Sequence, residues 1–448
     1  MAPYLGLRGM PLVIAITAAC STGFLLFGYD NGVFSGLTTD EFFLTIMGSP
    51  NSTLLGFIVA VYELGCLVGA LASFFWGEAL GRRWLTVSGA VWLIIVAYWV
   101  DYGCSSYTNG FQWRFPIAFQ IVFAIMLIVM CFLLPESPRW LASHGREQEA
   151  LEVVCLLRDG NPEDENIRTE MAEIKDAIAL EEEAASGWMD CFRDGGVMGW
   201  QRVAIACSAQ ALQEFTGTNI ITYYAPYVMV NSVGLDAHQS LLLSGGLQLW
   251  FLVASILPWF FLDKIGRRKL FFLGSAGMGA CMLISGLTIR AGTHNAGIGA
   301  VVVLYMFQAF FTWGWMSNMW AYPSEILPIR LRQTGSALSV VWQWLITFLV
   351  VEITPVGIQN IGWKLYIVFC ILNWATIVVV YFFYPETAGK SLEQIDFLFA
   401  SQSSLRQVVK LSQRKDLDEM AVIRETQAQV HQQKADTKQV EDTDAGEP

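Results

Sequence analysis

Charge is what this chain has least of. Asp, Glu, Lys and Arg make up 15% of its 448 residues, against about 25% in a soluble globular protein. Basic charge is scarcest. The 27 Lys and Arg face 39 Asp and Glu, for a formal net charge of -12. That balance excludes nucleic-acid binding, which needs a basic face. The four histidines lie far apart and give no zinc signature. The nine cysteines are scattered, mostly within apolar runs, with no CxxC pair. They read as small packing residues rather than a disulfide framework or a metal site. P-loop and nucleophile-elbow patterns are missing too. Neither an enzyme nor a cofactor is expected.

What fills the chain instead is apolar: 54% of the residues are hydrophobic. A bilayer takes about 20 apolar residues per crossing. About ten runs approach or exceed that length, roughly 11–35, 54–76, 84–100, 116–134, 203–230, 240–262, 270–289, 297–322, 336–354 and 365–384. The expected class is an all-α polytopic membrane protein. The first run continues through Tyr29-Asp30-Asn31 and is too long for a signal-peptide core, so no cleavable signal is expected. With the N-terminus in the cytoplasm, Arg82, Arg83, Arg139, Lys264, Arg267, Arg268, Lys269, Arg330 and Arg332 all fall in inside loops. The outside loops hold mainly Asp40, Glu41, Asp101, Arg114, Asp236, Arg290 and Lys364, so the basic residues concentrate inside, which is the positive-inside pattern with both termini cytoplasmic. Asn51-Ser52-Thr53, in an outside loop, is a glycosylation sequon.

Four regions follow: a transmembrane bundle over 1–135 with about four spans, a helical cytoplasmic linker over 136–199, a six-span bundle over 200–386, and a tail over 387–448. Asn161-Pro162 reads as a helix start in the linker, with the amide as cap and proline in the first turn. The tail is polar and Gln-rich, helical at first and disordered by its end.

The stretch Gln213-Glu-Phe-Thr-Gly-Thr-Asn219-Ile-Ile-Thr-Tyr223-Tyr-Ala-Pro226 breaks the apolar rule inside its own span. Each polar group there is costly unless it faces protein or a water-filled cavity. It forms either a binding site for a polar small molecule or a polar helix–helix interface. On an ideal helix Gln213 and Asn219 point about 120° apart. They converge on one ligand only if the helix is interrupted between them. Thr216-Gly217-Thr218 is the place for that, since glycine tolerates unusual backbone and transporter helices break at their sites.

Short charged signals recur at the cytoplasmic ends. Glu78-Ala-Leu-Gly81-Arg82-Arg83 and Asp263-Lys-Ile-Gly266-Arg267-Arg268 repeat one spacing, and Glu325 is followed by Arg330 and Arg332. Positive-inside topology explains arginines but not the repeated acid and glycine. The repeat suggests internal duplication and charge locks that break when conformation switches.

These motifs, together with Gly28-Tyr29-Asp30, Pro135-Glu-Ser-Pro-Arg139, Trp320 through Pro323-Ser324-Glu325, Gln343-Trp344 and Pro385-Glu386-Thr387, resemble the sugar porters of the major facilitator superfamily, in particular fungal monosaccharide transporters. The resemblance covers nearly the whole chain. It implies two pseudo-symmetric helical bundles around a central cavity. It implies transport of a monosaccharide, a hexose or a pentose, by alternating access with a proton as co-substrate, across a lipid bilayer that is the plasma membrane. The residues matching the family's sugar contacts are Gln213, Glu214, Asn219, Tyr223, Trp320, Gln343, Trp344 and Phe27. Amides suit hydroxyls because they both donate and accept. Asp30 matches the family's proton-coupling acid, or else stands in an outer vestibule; Glu63 is a second candidate. The gating loops would be Glu78, Arg82, Arg83, Asp263, Arg267, Arg268, Glu325 and Arg332.

One departure is large. Family members have twelve spans, six per half. Trp84–Val100 begins like the third family helix and ends like the fifth, so the first bundle lacks two helices and with them the arginine that partners the first-span acid. Smaller departures are Glu214 and Glu78, where the family more often has Gln and Asp. A sugar sensor without net transport and a non-functional shortened transporter therefore stand as alternatives.

Overall fold

The structure, a computed structural model, describes residues 6–76, 133–183, 188–192, 198–402 and 404–414, with five residue pairs between 114 and 130. The spans expected at 84–100 and 116–134, the loop residues Glu78, Arg82 and Arg83, and most of the tail lie outside that set or only partly within it. All regular elements among the described residues are helices.

In the first half, α1 spans Met10–Leu37, a short α2 spans Glu41–Ile46, and α3 spans Ser52–Trp76. The exposed Asn51 of the sequon caps α3, its Oδ1 accepting from Leu54 N at 2.8 Å. Three polar helices follow: α4 (Pro138–Ser143), α5 (Glu147–Arg158) and α6 (Glu165–Glu183). They close on a small apolar core of Leu141, Ala150, Val153, Val154, Ile167 and Met171. The expected helix start, with Asn161 as cap and Pro162 in the first turn, falls three residues early. Asp164 turns back to accept from Asn161 N at 2.7 Å, so this segment is a turn and α6 begins at Glu165.

The second half holds α7 (Gly199–Glu214), α8 (Thr218–Val228), α9 (Ala237–Ile256), α10 (Pro258–Ile265), α11 (Arg267–Ala291) and α12 (His294–Phe311). Then come α13 (Ala321–Ile326), α14 (Ile329–Ile361) and α15 (Lys364–Phe383), with α16 (Leu392–Ser401) and α17 (Leu405–Ser412) folded beneath. Five of the described segments have the length and apolarity to cross a membrane: Ala237–Ile256, Arg267–Ala291, Ala296–Ile326, Arg330–Ile361 and Lys364–Phe383.

The distribution of polarity is that of a membrane protein turned toward its own interior. Gln210, Gln213, Glu214, Asn219, Gln248, Gln308 and Asn373 are buried, while Phe260, Val302, Ile371 and Val378 lie on the outside. Lipid tails favour the second set, and only the bundle interior satisfies the first. The chain is an all-α, multi-pass membrane protein.

Two expected spans need correction. The run 240–262 is two helices, divided at Leu257-Pro258, where the proline nitrogen has no hydrogen to bond back to the preceding turn. The run 336–354 belongs to a 33-residue helix, α14, that passes through Pro355. Its polar first turns hid its start, and Thr354 Oγ1 bonded to Val350 O at 2.7 Å steadies the approach to the proline.

Candidate functional site

The irregularity expected at Thr216-Gly217-Thr218 is present. α7 ends at Glu214, α8 starts at Thr218, and Gly217 between them takes φ +87°. The freed backbone is satisfied internally: Thr216 Oγ1 donates to Gln213 O at 2.6 Å, and Asn373 Nδ2 on α15 donates to Thr216 O at 2.8 Å. A Cβ at Gly217 would stand 2.9 Å from Phe369 and 3.0 Å from Met282. Gly217→Ala combines left-handed backbone, about 1–2 kcal/mol, with overpacking, about 1–3 kcal/mol. It should lower the thermal unfolding midpoint in detergent; an unchanged midpoint would mean that the break relaxes freely.

The break brings together side chains that a straight helix would separate. Asn219 Nδ2 donates to Glu214 Oε2 at 2.6 Å across it. From α14, Gln343 and Thr347 also reach the Glu214 carboxylate. Gln213, Glu214, Asn219 and Gln343 are all buried. Gln213 Oε1 and Gln343 Oε1 are buried with no hydrogen-bond partner. Orphaned acceptors in a low-dielectric interior are costly. They suit a ligand that supplies hydroxyl donors. Tyr223, one helical turn further along α8, donates its hydroxyl to Glu63 Oε1 on α3.

Other candidates are placed less centrally. Trp344 is half-buried beside Gln343, and Trp320 stands 38% exposed at the break before α13. Phe27 and Asp30 lie on α1, which packs along α8, but their side chains fall outside the described set. Gln248 on α9 is fully buried, with Nε2 unpartnered.

A second cluster forms around the Gly266-Arg267-Arg268 turn. Arg267 pairs with Glu325 at 3.0 Å, and Thr387 Oγ1 donates to the other Glu325 oxygen at 2.6 Å. Glu386 is the hub. It accepts from the backbone N–H groups of Arg267 at 2.9 Å, Arg268 at 3.1 Å, Thr387 at 3.1 Å and Ala388 at 3.0 Å. Gly266 takes φ +96°, and a Cβ there would meet Glu386 at 2.7 Å. The sequence pattern flagged Pro385-Glu386-Thr387 without assigning this hub. Asp263 lies on α10, its side chain outside the described set. Arg330 and Arg332, a few residues beyond Glu325, bring their charges to bear on the buried Arg202.

Comparison with known proteins places this architecture. The model of the sugar (and other) transporter family matches residues 15–96 and 89–399. The chain is 34% identical over 470 residues to the sugar transporter STL1 of Saccharomyces cerevisiae, covering 88% of this chain and 82% of that protein. It is 32% identical to the MFS-type transporter oryC of Aspergillus oryzae, covering 90% of this chain and 88% of that one. Among solved structures, the partially occluded inward-open xylose transporter XylE from E. coli superposes with a TM-score of 0.68 at 21% identity, over 85% of this chain and 99% of that one. That likeness shows the major facilitator fold. The family match divides at residues 89–96, inside the run Trp84–Val100 that reads as two fused helices. The STL1 alignment has 470 positions but uses 88% of 448 residues, about 394, leaving about 76 positions without a residue here. With family match, relatives and fold in agreement, this chain belongs to the sugar transporter family of the major facilitator superfamily and is not an enzyme.

Proposed function

We propose that this protein carries a monosaccharide, hexose or pentose, across the plasma membrane by alternating access, with both termini in the cytoplasm and a proton moving with the sugar. The observation that carries this reading is the Gln213–Glu214–Asn219–Gln343 cluster, in which two buried amide oxygens lack partners beside a broken helix. Sugar hydroxyls donate and accept in close succession, and this arrangement offers both functions. Gln213, Glu214, Asn219, Tyr223 and Gln343 hold the sugar, with Trp320, Trp344 and Phe27 against its apolar faces. Asp30 is the coupling acid that the family resemblance assigns. The Arg267–Glu325–Glu386 cluster, with its first-half counterpart Glu78-Arg82-Arg83, gates the cytoplasmic side by locking and releasing helix ends.

A second reading, a sugar-binding sensor without net transport, is favoured by one observation: the division of the family match at 89–96 and the missing alignment positions.

Uptake of labelled glucose and xylose by the full chain in proteoliposomes, with and without an inward proton gradient, separates the two. Transport predicts gradient-stimulated uptake; binding without uptake predicts the sensor. Asn219→Ala removes a buried amide and strands its partner, about 1–3 kcal/mol. Sugar affinity should therefore fall roughly tenfold or more. Unchanged affinity would place the site elsewhere.

A further inference from the structure

Glu63 is completely buried midway along α3. Its Oε1 accepts from the Tyr223 hydroxyl, and its Oε2 is buried with no partner. The described groups that act electrostatically on Glu63 are Tyr223 and Glu214, neither of them a cation. Glu352, on α14, and Glu63 both bear on Tyr224, whose hydroxyl is already donated to Val351 O at 3.0 Å. Glu214 itself is buried and held by amides and a hydroxyl rather than by a positive charge. Two carboxylates thus stand close together in the bundle interior with no described cation between them. Two negative charges in that setting repel through a weakly screening medium, and each loses its hydration. The charge-balanced arrangement has a proton on the pair.

The hydrogen bond adds direction. A tyrosine hydroxyl has one hydrogen to give. While Glu63 is ionised, Tyr223 gives it to Glu63. When Glu63 takes a proton from solution, the acid carries its own donor, and the Tyr223 hydrogen is released to a sugar oxygen. No other bond changes in this step. Glu63 and Tyr223 also lie in opposite halves of the chain, so the same step loosens a tie between them.

We infer that Glu63 is a proton-carrying residue of the transport cycle, and that Tyr223, by donating either to Glu63 or to the sugar, links protonation of Glu63 to sugar binding. This rests on the sugar-site reading above and assigns a coupling group inside the site itself. It adds to the coupling acid on α1.

Two measurements on the purified full-length protein test it. The first is infrared titration, following the carbonyl stretch of protonated carboxylic acid. The wild type should show a buried acid band near neutral pH that Glu63→Gln diminishes and Tyr223→Phe retains. The second is the pH dependence of glucose and xylose affinity. Linkage is reciprocal, with couplings of roughly 5–150-fold typical. Wild-type affinity should weaken roughly tenfold from acid to alkaline pH, and this dependence should vanish in both variants. Glu63→Gln preserves an acceptor for Tyr223, and Tyr223→Phe tests the link without touching the acid. A band left undiminished by Glu63→Gln overturns the proton site. A pH dependence that survives Tyr223→Phe overturns the link. If the wild type binds neither sugar, the sugar reading has failed, and the infrared titration alone decides whether Glu63 carries a proton.

Discussion

Gly56→Trp should reduce uptake to background while leaving the protein able to fold. Gly56 lies near the start of α3, where that helix crosses α14 from the other half. A Cβ built on Gly56 would stand 2.4 Å from Glu352 O and 3.2 Å from its carbonyl carbon. These are backbone atoms, so no rotamer change relieves the clash; the two helices must separate. The contact joins the halves at the end of α3 that follows the loop between α1 and α3. Alternating access requires that such a contact form and release in every cycle. Forcing extra atoms into a packed interface costs about 1–3 kcal/mol, which shifts the closed-to-open ratio roughly tenfold or more. Gly56→Ala should therefore slow uptake about tenfold, and the indole should stop it. Initial rates in proteoliposomes measure both. Sugar binding, read by intrinsic tryptophan fluorescence, should persist in Gly56→Trp. Wild-type uptake by Gly56→Trp would show that α3 and α14 do not need to approach so closely during the cycle.

The parts of this architecture that sequence reveals are those written locally. The break in the α7–α8 span is legible because Gln213, Glu214 and Asn219 are intolerable in lipid and Gly217 stands between them. The charged turn at Gly266-Arg267-Arg268 is legible because a tight spacing recurs. Pairings between distant segments are not legible. Tyr223 meets Glu63 across 160 residues and Arg202 meets Asp396 across 194. Helical periodicity fixes which face of a helix is polar, not which other helix meets it. Glu386 shows the intermediate case. Its motif stands out in sequence, but its role depends on a turn more than a hundred residues away. Boundaries failed where polar first turns or a proline masked a helix, as at Ile329 and Pro355 of α14.

The tail lock gives the other large effect, and its sign is asymmetric. Arg202, at the start of α7, is fully buried, with its side chain only 1% exposed, whereas its partner Asp396 on α16 is 36% exposed. The guanidinium also donates through Nε to Ile326 O at 2.5 Å and stacks 4.6 Å from the Phe399 ring centroid. Its Nη1 is buried without a partner. Asp396→Ala therefore leaves a buried cation held by one carbonyl and one ring, with the charges of Arg330 and Arg332 added to it. Stranding a buried charge costs about 3–5 kcal/mol. Arg202→Met keeps the apolar stem and leaves an aspartate that water already reaches, at about 1 kcal/mol, as for an exposed pair. Asp396→Ala should thus be the more destabilising change although it removes the more exposed residue. The double substitution should recover much of the loss, because residues in direct contact are not additive. Thermal unfolding in detergent gives the order of the three variants. Trypsin cleavage at Arg406 and Lys410 reports whether α16 and α17 have left their seat. If Arg202→Met proves the worse of the two, Arg202 acts mainly through Ile326 and Phe399, and the ion pair to Asp396 is incidental. The predicted order makes Asp396 the counter-charge that lets an arginine sit inside the bundle, and makes α16 the strap that ties α7 to α13.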